Sequence, residues 1–199
     1  MVRNTQQNSM IMDMITITTT KMQVDLKRIV DLPGLETIRE LYISAFPPDE
    51  RREFDNLKLL LNNNECHFYR IFTENKILAG FFILWEFQAF VFIEHFAVND
   101  ELRGLGIGEK TLAEIRTMFS KNIILETELP ANDIKARRIR FYERNGFHKL
   151  RRTYFQPSYG ENKPEIELKL MCTNVDIQTE ELDFIIKTIR KKVYCIDEF

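Results

Sequence analysis

From Phe81 to Val98 the chain is almost continuously apolar, a run long enough to cross a bilayer, yet Glu86, Gln88, Glu94 and His95 lie inside it. Four such groups in hydrocarbon would be costly, so the run reads as a buried hairpin that reverses near Phe87-Gln88. A hairpin of this kind needs apolar cover on both faces. The rest of the 199 residues can supply it, since 44% are hydrophobic and 16 are Phe, which excludes a mostly disordered chain and points to one domain. Lys and Arg number 28 against 30 Asp and Glu, a net charge of −2. That balance offers no broad positive field, so neither nucleic acid nor membrane is expected as a partner. Cys66, Cys172 and Cys195 are odd in number and not grouped with His67, His95 or His148 at ligand spacing. No metal site is expected, and the thiols read as reduced in a cytoplasmic protein.

Residues 1–23 lack the pattern of a secretory signal and read as a poorly ordered leader. A strand is expected over Val24 to Val30. A helix opens at Pro33, its Leu35, Ile38, Tyr42 and Ala45 at helical spacing, and stops at Pro47-Pro48; a second follows from Asp49 to Leu61. Cys66 to Thr73, Lys76 to Glu86 and Ala89 to Val98 read as an antiparallel meander. Beyond a polar turn at Asn99-Asp100 come a glycine loop, a helix to Ser120, a strand Asn122 to Thr127, a helix Ile134 to Arg144, and strands over Phe147 to Phe155 and Glu165 to Met171. Strand, helix, strand implies a parallel pair, so the class is α/β (α+β). After Cys172, Leu182, Ile185, Ile186, Ile189 and Val193 share one helical face, which makes 173–199 a C-terminal helical extension of a 24–172 domain.

The loop Arg103-Gly-Leu-Gly-Ile-Gly108 joins a strand to a helix. Closely spaced glycines at a helix start let backbone amides converge on an anion, which is phosphate-binding chemistry. A dinucleotide fingerprint requires Gly-x-Gly-x-x-Gly and a different element order. The Walker pattern requires glycine where Glu109 stands, before Lys110-Thr111. The pattern that fits is Arg-x-x-Gly-x-Gly after Phe96-Ala97-Val98. With Phe141-Tyr142-Glu-Arg-Asn-Gly146-Phe147 downstream, the chain resembles the GNAT superfamily of acyl-CoA-dependent N-acetyltransferases.

The resemblance implies a mixed, mostly antiparallel central sheet flanked by helices, with a splayed parallel strand pair forming the CoA cleft. It implies acetyl-CoA as cosubstrate, held by the amides of Arg103, Gly104, Leu105, Gly106, Ile107 and Gly108 at its pyrophosphate and by the backbone of Phe96, Ala97 and Val98 at its pantetheine arm. It makes Tyr142 the proton donor to the departing thiolate, a role a phenol can fill at neutral pH. For the base that deprotonates the amine, Glu126 and Glu94 stand level. His95, by simple alternation, is expected on the opposite sheet face from Glu94. Lys135 stands where many relatives have asparagine, on a helix that also carries Arg137, Arg138 and Arg140.

The activity this implies is direct acetyl transfer to the amine of a small molecule or peptide in a ternary complex, since neither signature contains cysteine. A non-catalytic CoA-binding or sensing module is the alternative. The acceptor pocket is expected between the segment ahead of Arg51-Arg52 and that from Tyr154 to Tyr159. The Phe-rich hairpin and the last helix are the candidate surfaces for a homodimer.

Overall fold

Eight strands form one mixed sheet in the computed structural model, which describes residues 23–160 and 163–196. They are β1 (Val24–Ile29), β2 (Cys66–Thr73), β3 (Leu78–Glu86), β4 (Phe90–Val98), β5 (Asn122–Glu128), β6 (His148–Lys149), β7 (Tyr154–Gln156) and β8 (Ile166–Cys172). The helices are α1 (Leu32–Glu36), α2 (Arg39–Ala45), α3 (Phe54–Leu60), α4 (Ile107–Met118), α5 (Asp133–Arg144) and α6 (Thr179–Lys192). The leader lies outside the described residues apart from Gln23.

The sheet order is β1-β2-β3-β4-β5-β8-β6, with β7 also on β8. Strands β2 to β4 are the expected antiparallel meander, β1 joins it antiparallel to β2, and β4 runs parallel to β5 through the α4 crossover. β3 is buried on both faces along its interior, as a central strand must be, and β4 is buried on both faces as far as Ile93. One face carries Leu35, Ile38, Tyr42, Phe54 and Leu57, together with Ile185, Ile189 and Val193 at the end of the chain. The other carries Ile107, Leu112 and Ile115 of α4 with Ile139, Tyr142 and Phe147 of α5 and its exit.

Four expectations change. The second helix, expected from Asp49 to Leu61, is a single 3-10 turn at Pro48–Glu50 followed by a helix over Phe54–Leu60. The helix that opens at Pro33 is two short helices that part between Glu36 and Arg39. The strand expected over Phe147 to Phe155 is two short ones on β8, with Arg151 and Arg152 in an exposed bend between them. The Phe-rich hairpin is the middle of the sheet, where Phe81, Phe82, Phe90 and Phe92 are fully buried. It therefore offers no apolar surface to a second copy, whereas α6 exposes Phe184.

Candidate active site

The parallel pair stops pairing halfway. Phe90, Val91, Phe92 and Ile93 face Asn122, Ile123, Ile124 and Leu125 in register, and the ladder ends there. From His95 on, β4 is paired only to β3, and from Glu126 on, β5 only to β8. Phe96, Ala97 and Val98 thus lie on a strand whose second edge is open, with main-chain groups free to pair with an extended ligand.

At the end of that edge stands the glycine loop. Arg103 is exposed and paired with Asp100 at 2.6 Å. Gly104 and Gly106 have φ of 83° and 78°, a region costly for side-chain-bearing residues, and Gly106 caps α4 without any side-chain hydrogen bond. Leu105 is exposed, Ile107 is buried, and Gly108 lies against the Phe141 ring. None of the six successive amides from Gly104 to Glu109 donates a hydrogen bond within the described protein, while Lys110 N–H already bonds Gly106 O at 3.0 Å. A row of unspent donors at the positive end of a twelve-residue helix is built for an anion.

The second signature is a helix terminus. Gly146, at φ 79°, donates to Glu143 O at 3.1 Å, and Phe147 N–H donates to Tyr142 O at 3.1 Å, the paired bonds of a Schellman cap. Tyr142 and Phe147 meet at 5.9 Å between ring centroids, the apolar contact that accompanies such a cap. The cap holds the Tyr142 ring in the core, while its hydroxyl makes no hydrogen bond among the described residues. Burial pushes this phenol up to about 12, so it stays protonated at neutral pH. On the same helix, Arg138 is ion-paired with Glu128, the Lys135 amide is capped by Asn132 at 2.9 Å, and Arg137 and Arg140 are exposed.

Glu94 and Glu126 are the first residues past the fork, one on each arm, and the two carboxylates differ in company. Arg52 Nε donates to Glu94 Oε1 at 2.9 Å, Trp85 Nε1 to Oε2 at 2.7 Å, and the Tyr159 hydroxyl to Oε1 at 3.0 Å. Burial pushes the Glu94 acid up, but the Arg52 guanidinium and these donors outweigh it and hold Glu94 below the ordinary carboxylate value. Glu126 has no cation beside it among the described residues. It accepts from Tyr154 and, at 2.8 Å, from Tyr194, and these bonds only partly offset burial, which pushes it up to about 7.

His95 corrects the alternation argument. β4 bulges at Glu94, since Ile83 faces His95 whereas Leu84 faces Ile93. A bulge places two successive residues on one face, and His95 accordingly packs on Tyr42, Phe46 and Tyr159, beside the Glu94 cluster. Burial holds its imidazole down to about 4, neutral at pH 7.

The structure also brings Arg52, Tyr154 and Tyr159 together at the carboxylates, in the region expected for the acceptor. Tyr194 had no signal of its own in the sequence beyond following Val193, the last residue of an apolar helical face.

Residues 35–147 match the model of the acetyltransferase (GNAT) family. The chain belongs to this family. A GNAT-family acetyltransferase of Bacteroides thetaiotaomicron, provisionally named, has a similar structure with a TM-score of 0.80 and 30% identity, covering 87% of this chain and 99% of that one. YjbC of Bacillus subtilis, provisionally named an acetyltransferase, is 29% identical over 104 residues. That match covers 51% of this GNAT chain and 52% of YjbC, so the chain spans about half the length of this curated relative. The spermidine N-acetyltransferase of Vibrio cholerae, solved with CoA and spermine, shares the fold at TM-score 0.55 and 16% identity, over 75% of this chain and 94% of its own.

Among the described residues no cluster of three or more His, Cys, Asp or Glu could hold a metal, and no helix is long and apolar enough to cross a membrane.

Proposed function

We propose that this chain is an N-acetyltransferase that moves an acetyl group from acetyl-CoA to an amine by direct attack in a ternary complex. The observation that carries the reading is the fork itself: an open strand edge leads from unspent helix-terminal amides at one end to a carboxylate without a cation at the other. The residues fit acetyl-CoA, which when bound supplies an activated thioester. Gly104 to Gly108, with Arg103 beside them, hold its pyrophosphate through backbone amides, and Phe96, Ala97 and Val98 pair with its extended arm. Tyr142 Oη, protonated and without a protein acceptor, donates to the leaving sulfur.

Glu126 is the base. An acid near neutrality accepts a proton from an ammonium more effectively than one held low by arginine, because a base works best when its pKa lies near the working pH. Glu94 serves instead to hold Arg52, Trp85 and Tyr159 in place. The amine belongs to a small molecule or a peptide and enters over Arg52, Tyr154 and Tyr159. The 24–172 domain and the 173–199 extension act together here, because the extension supplies Tyr194. Any homodimer is proposed to pack through α6, and the compartment is proposed to be the cytoplasm.

Release of CoA thiol from acetyl-CoA across a panel of polyamines, amino sugars, lysine peptides and peptide N-termini tests the reading. Turnover with at least one amine is expected. CoA binding without turnover on any of them would favour the non-catalytic module.

A further inference from the structure

Three phenols stand at the fork, two of them tying its arms together, and none lies in the 35–147 segment that matches the family. Tyr154 donates to Glu126 Oε1 and Tyr194 to Glu126 Oε2 at 2.8 Å. Tyr159 bridges the remaining gap, 3.0 Å from Glu94 Oε1 and 3.3 Å from the Tyr194 oxygen. Tyr194 follows α6, where the chain turns at Cys195 with φ 58°. Arg52 fastens this tail, since its Nη2 donates to Val193 O while its Nε holds Glu94. The C-terminal tail is thereby bonded directly to Glu126 and, through Arg52 and Tyr159, to Glu94.

The hydroxyl protons limit what the bridge can hold. Each phenol has one to give. With Glu126 ionised, Tyr194 gives its proton to Glu126 and Tyr159 gives its own to Glu94, so the contact between the two phenol oxygens has none. With a proton on Glu126, every contact can be filled in one direction: Glu126 to Tyr194, Tyr194 to Tyr159, Tyr159 to Glu94, beside the Arg52 charge. The network has a place for one proton more than its ionised state carries.

We propose that Tyr194, brought in by the C-terminal tail, is a positioning residue for Glu126, and that the Tyr194–Tyr159 bridge accommodates the proton Glu126 takes from the acceptor ammonium. The second half rests on the reading of Glu126 as base. In that step an N–H bond breaks and an O–H bond forms on Glu126, while the electron pair stays on nitrogen for attack. The phenols turn their hydroxyls with no other bond made, and the proton passes to water when product leaves.

The groups facing Glu126 are Tyr154 from β7, Tyr159 from the loop after it, Tyr194 from the tail, and Glu94 with Arg52 across the fork; Arg190 and Glu165 act on Tyr154. The Tyr194 hydroxyl donates to ionised Glu126 and accepts from protonated Glu126, and the bond to the charged form is the stronger, so deleting the hydroxyl makes Glu126 harder to ionise.

The test uses the full chain without substrate. Carboxyl-carbon NMR titration, with the Glu126 signal assigned by its loss in Glu126→Gln, is compared between wild type and Tyr194→Phe, which keeps the ring and its packing. The midpoint is expected to rise by about one pH unit. Tyr159→Phe leaves the tail's own bond to Glu126 in place but removes the acceptor that the Tyr194 hydroxyl needs once Glu126 is protonated, so it is expected to lower the midpoint; an unmoved or raised midpoint overturns the proton-holding half and supplies a second reading if Tyr194→Phe folds poorly. A folded Tyr194→Phe that loses thermal stability with an unmoved midpoint overturns the bridge. With an accepted amine in hand, the acid limb of kcat/KM should move up with the NMR midpoint, about tenfold lower rate well below it and recovery above. A moved midpoint with an unmoved limb overturns Glu126 as the base and the proton-holding half of the proposal, leaving Tyr194 as a positioning residue.

Discussion

The two ends of the fork are built by opposite means. The end proposed to bind the anion is made of main chain, with amides from six neighbouring residues oriented by two glycines of positive φ and a helix start, and its side chains point largely to solvent. The end proposed to handle the proton is made of side chains, with Arg52, Glu94, Glu126, Tyr154, Tyr159 and Tyr194 drawn from six separate places in the chain. A backbone site tolerates changes of side chain so long as the loop keeps its path. A side-chain site has one hydroxyl or carboxylate per task, so a single atom can be decisive.

The largest effect is expected at Tyr142, where one oxygen is proposed to carry the leaving-group proton. Tyr142→Phe should slow single-turnover acetyl transfer about 100- to 10,000-fold. Because the hydroxyl has no partner among the described residues to lose, melting temperature and CoA affinity should stay near wild type. An unaltered rate, with chemistry limiting, removes Tyr142 from the mechanism.

The glutamates come next, and they should part company. Glu94→Gln leaves the buried Arg52 without its counter-charge and should cost about 3 kcal/mol or more in urea unfolding. Glu126→Gln should instead abolish most turnover at little cost in stability. In the fold Glu126 titrates near about 7 against an ordinary value of 4.5, so between those values the folded chain holds a proton that the unfolded chain has released. Its contribution to stability therefore falls as pH rises from 4.5 to 7, and Gln should flatten that slope. Identical behaviour of the two variants would erase the distinction drawn between the carboxylates.

At the backbone end, Gly106→Val meets no atom within 4 Å of the added Cβ, and its penalty is the φ of 78° alone. Strain of about 1 to 3 kcal/mol is relieved if the exposed loop shifts. CoA affinity by calorimetry should fall about tenfold or more with the melting temperature nearly kept; unchanged affinity would break the cradle assignment. The smallest effect belongs to Arg103→Ala. An exposed ion pair contributes about 0 to 1 kcal/mol, so CoA affinity should drop only a few-fold, and less at high salt. A large loss would show that the cradle depends on a side chain after all.

This contrast also explains what could be read from the sequence. Gly104, Gly106 and Gly146 announce backbone geometry that few other residues accept, so both signatures were legible as loop and cap from neighbouring residues. The meander, the crossover and the last helix were legible for the same reason, through periodicities of two and 3.6. The bulge at Glu94 was not, because it depends on how β3 and β4 pair, and it moved His95 to the Glu94 face. Nor did any local pattern separate Glu94 from Glu126. Their difference arises from an arginine 42 residues before the first and a tyrosine 68 residues after the second.

By itself, then, the sequence determined the class of fold, the order of elements and the loop of amides, all set by interactions within a few residues. Tertiary structure alone decided which carboxylate is paired with a cation and which stays near neutrality, and it alone carried Tyr194 into the fork. Proton affinity in a buried site depends on desolvation and on partners within a few ångströms, and those partners become neighbours only when the sheet and the last helix pack.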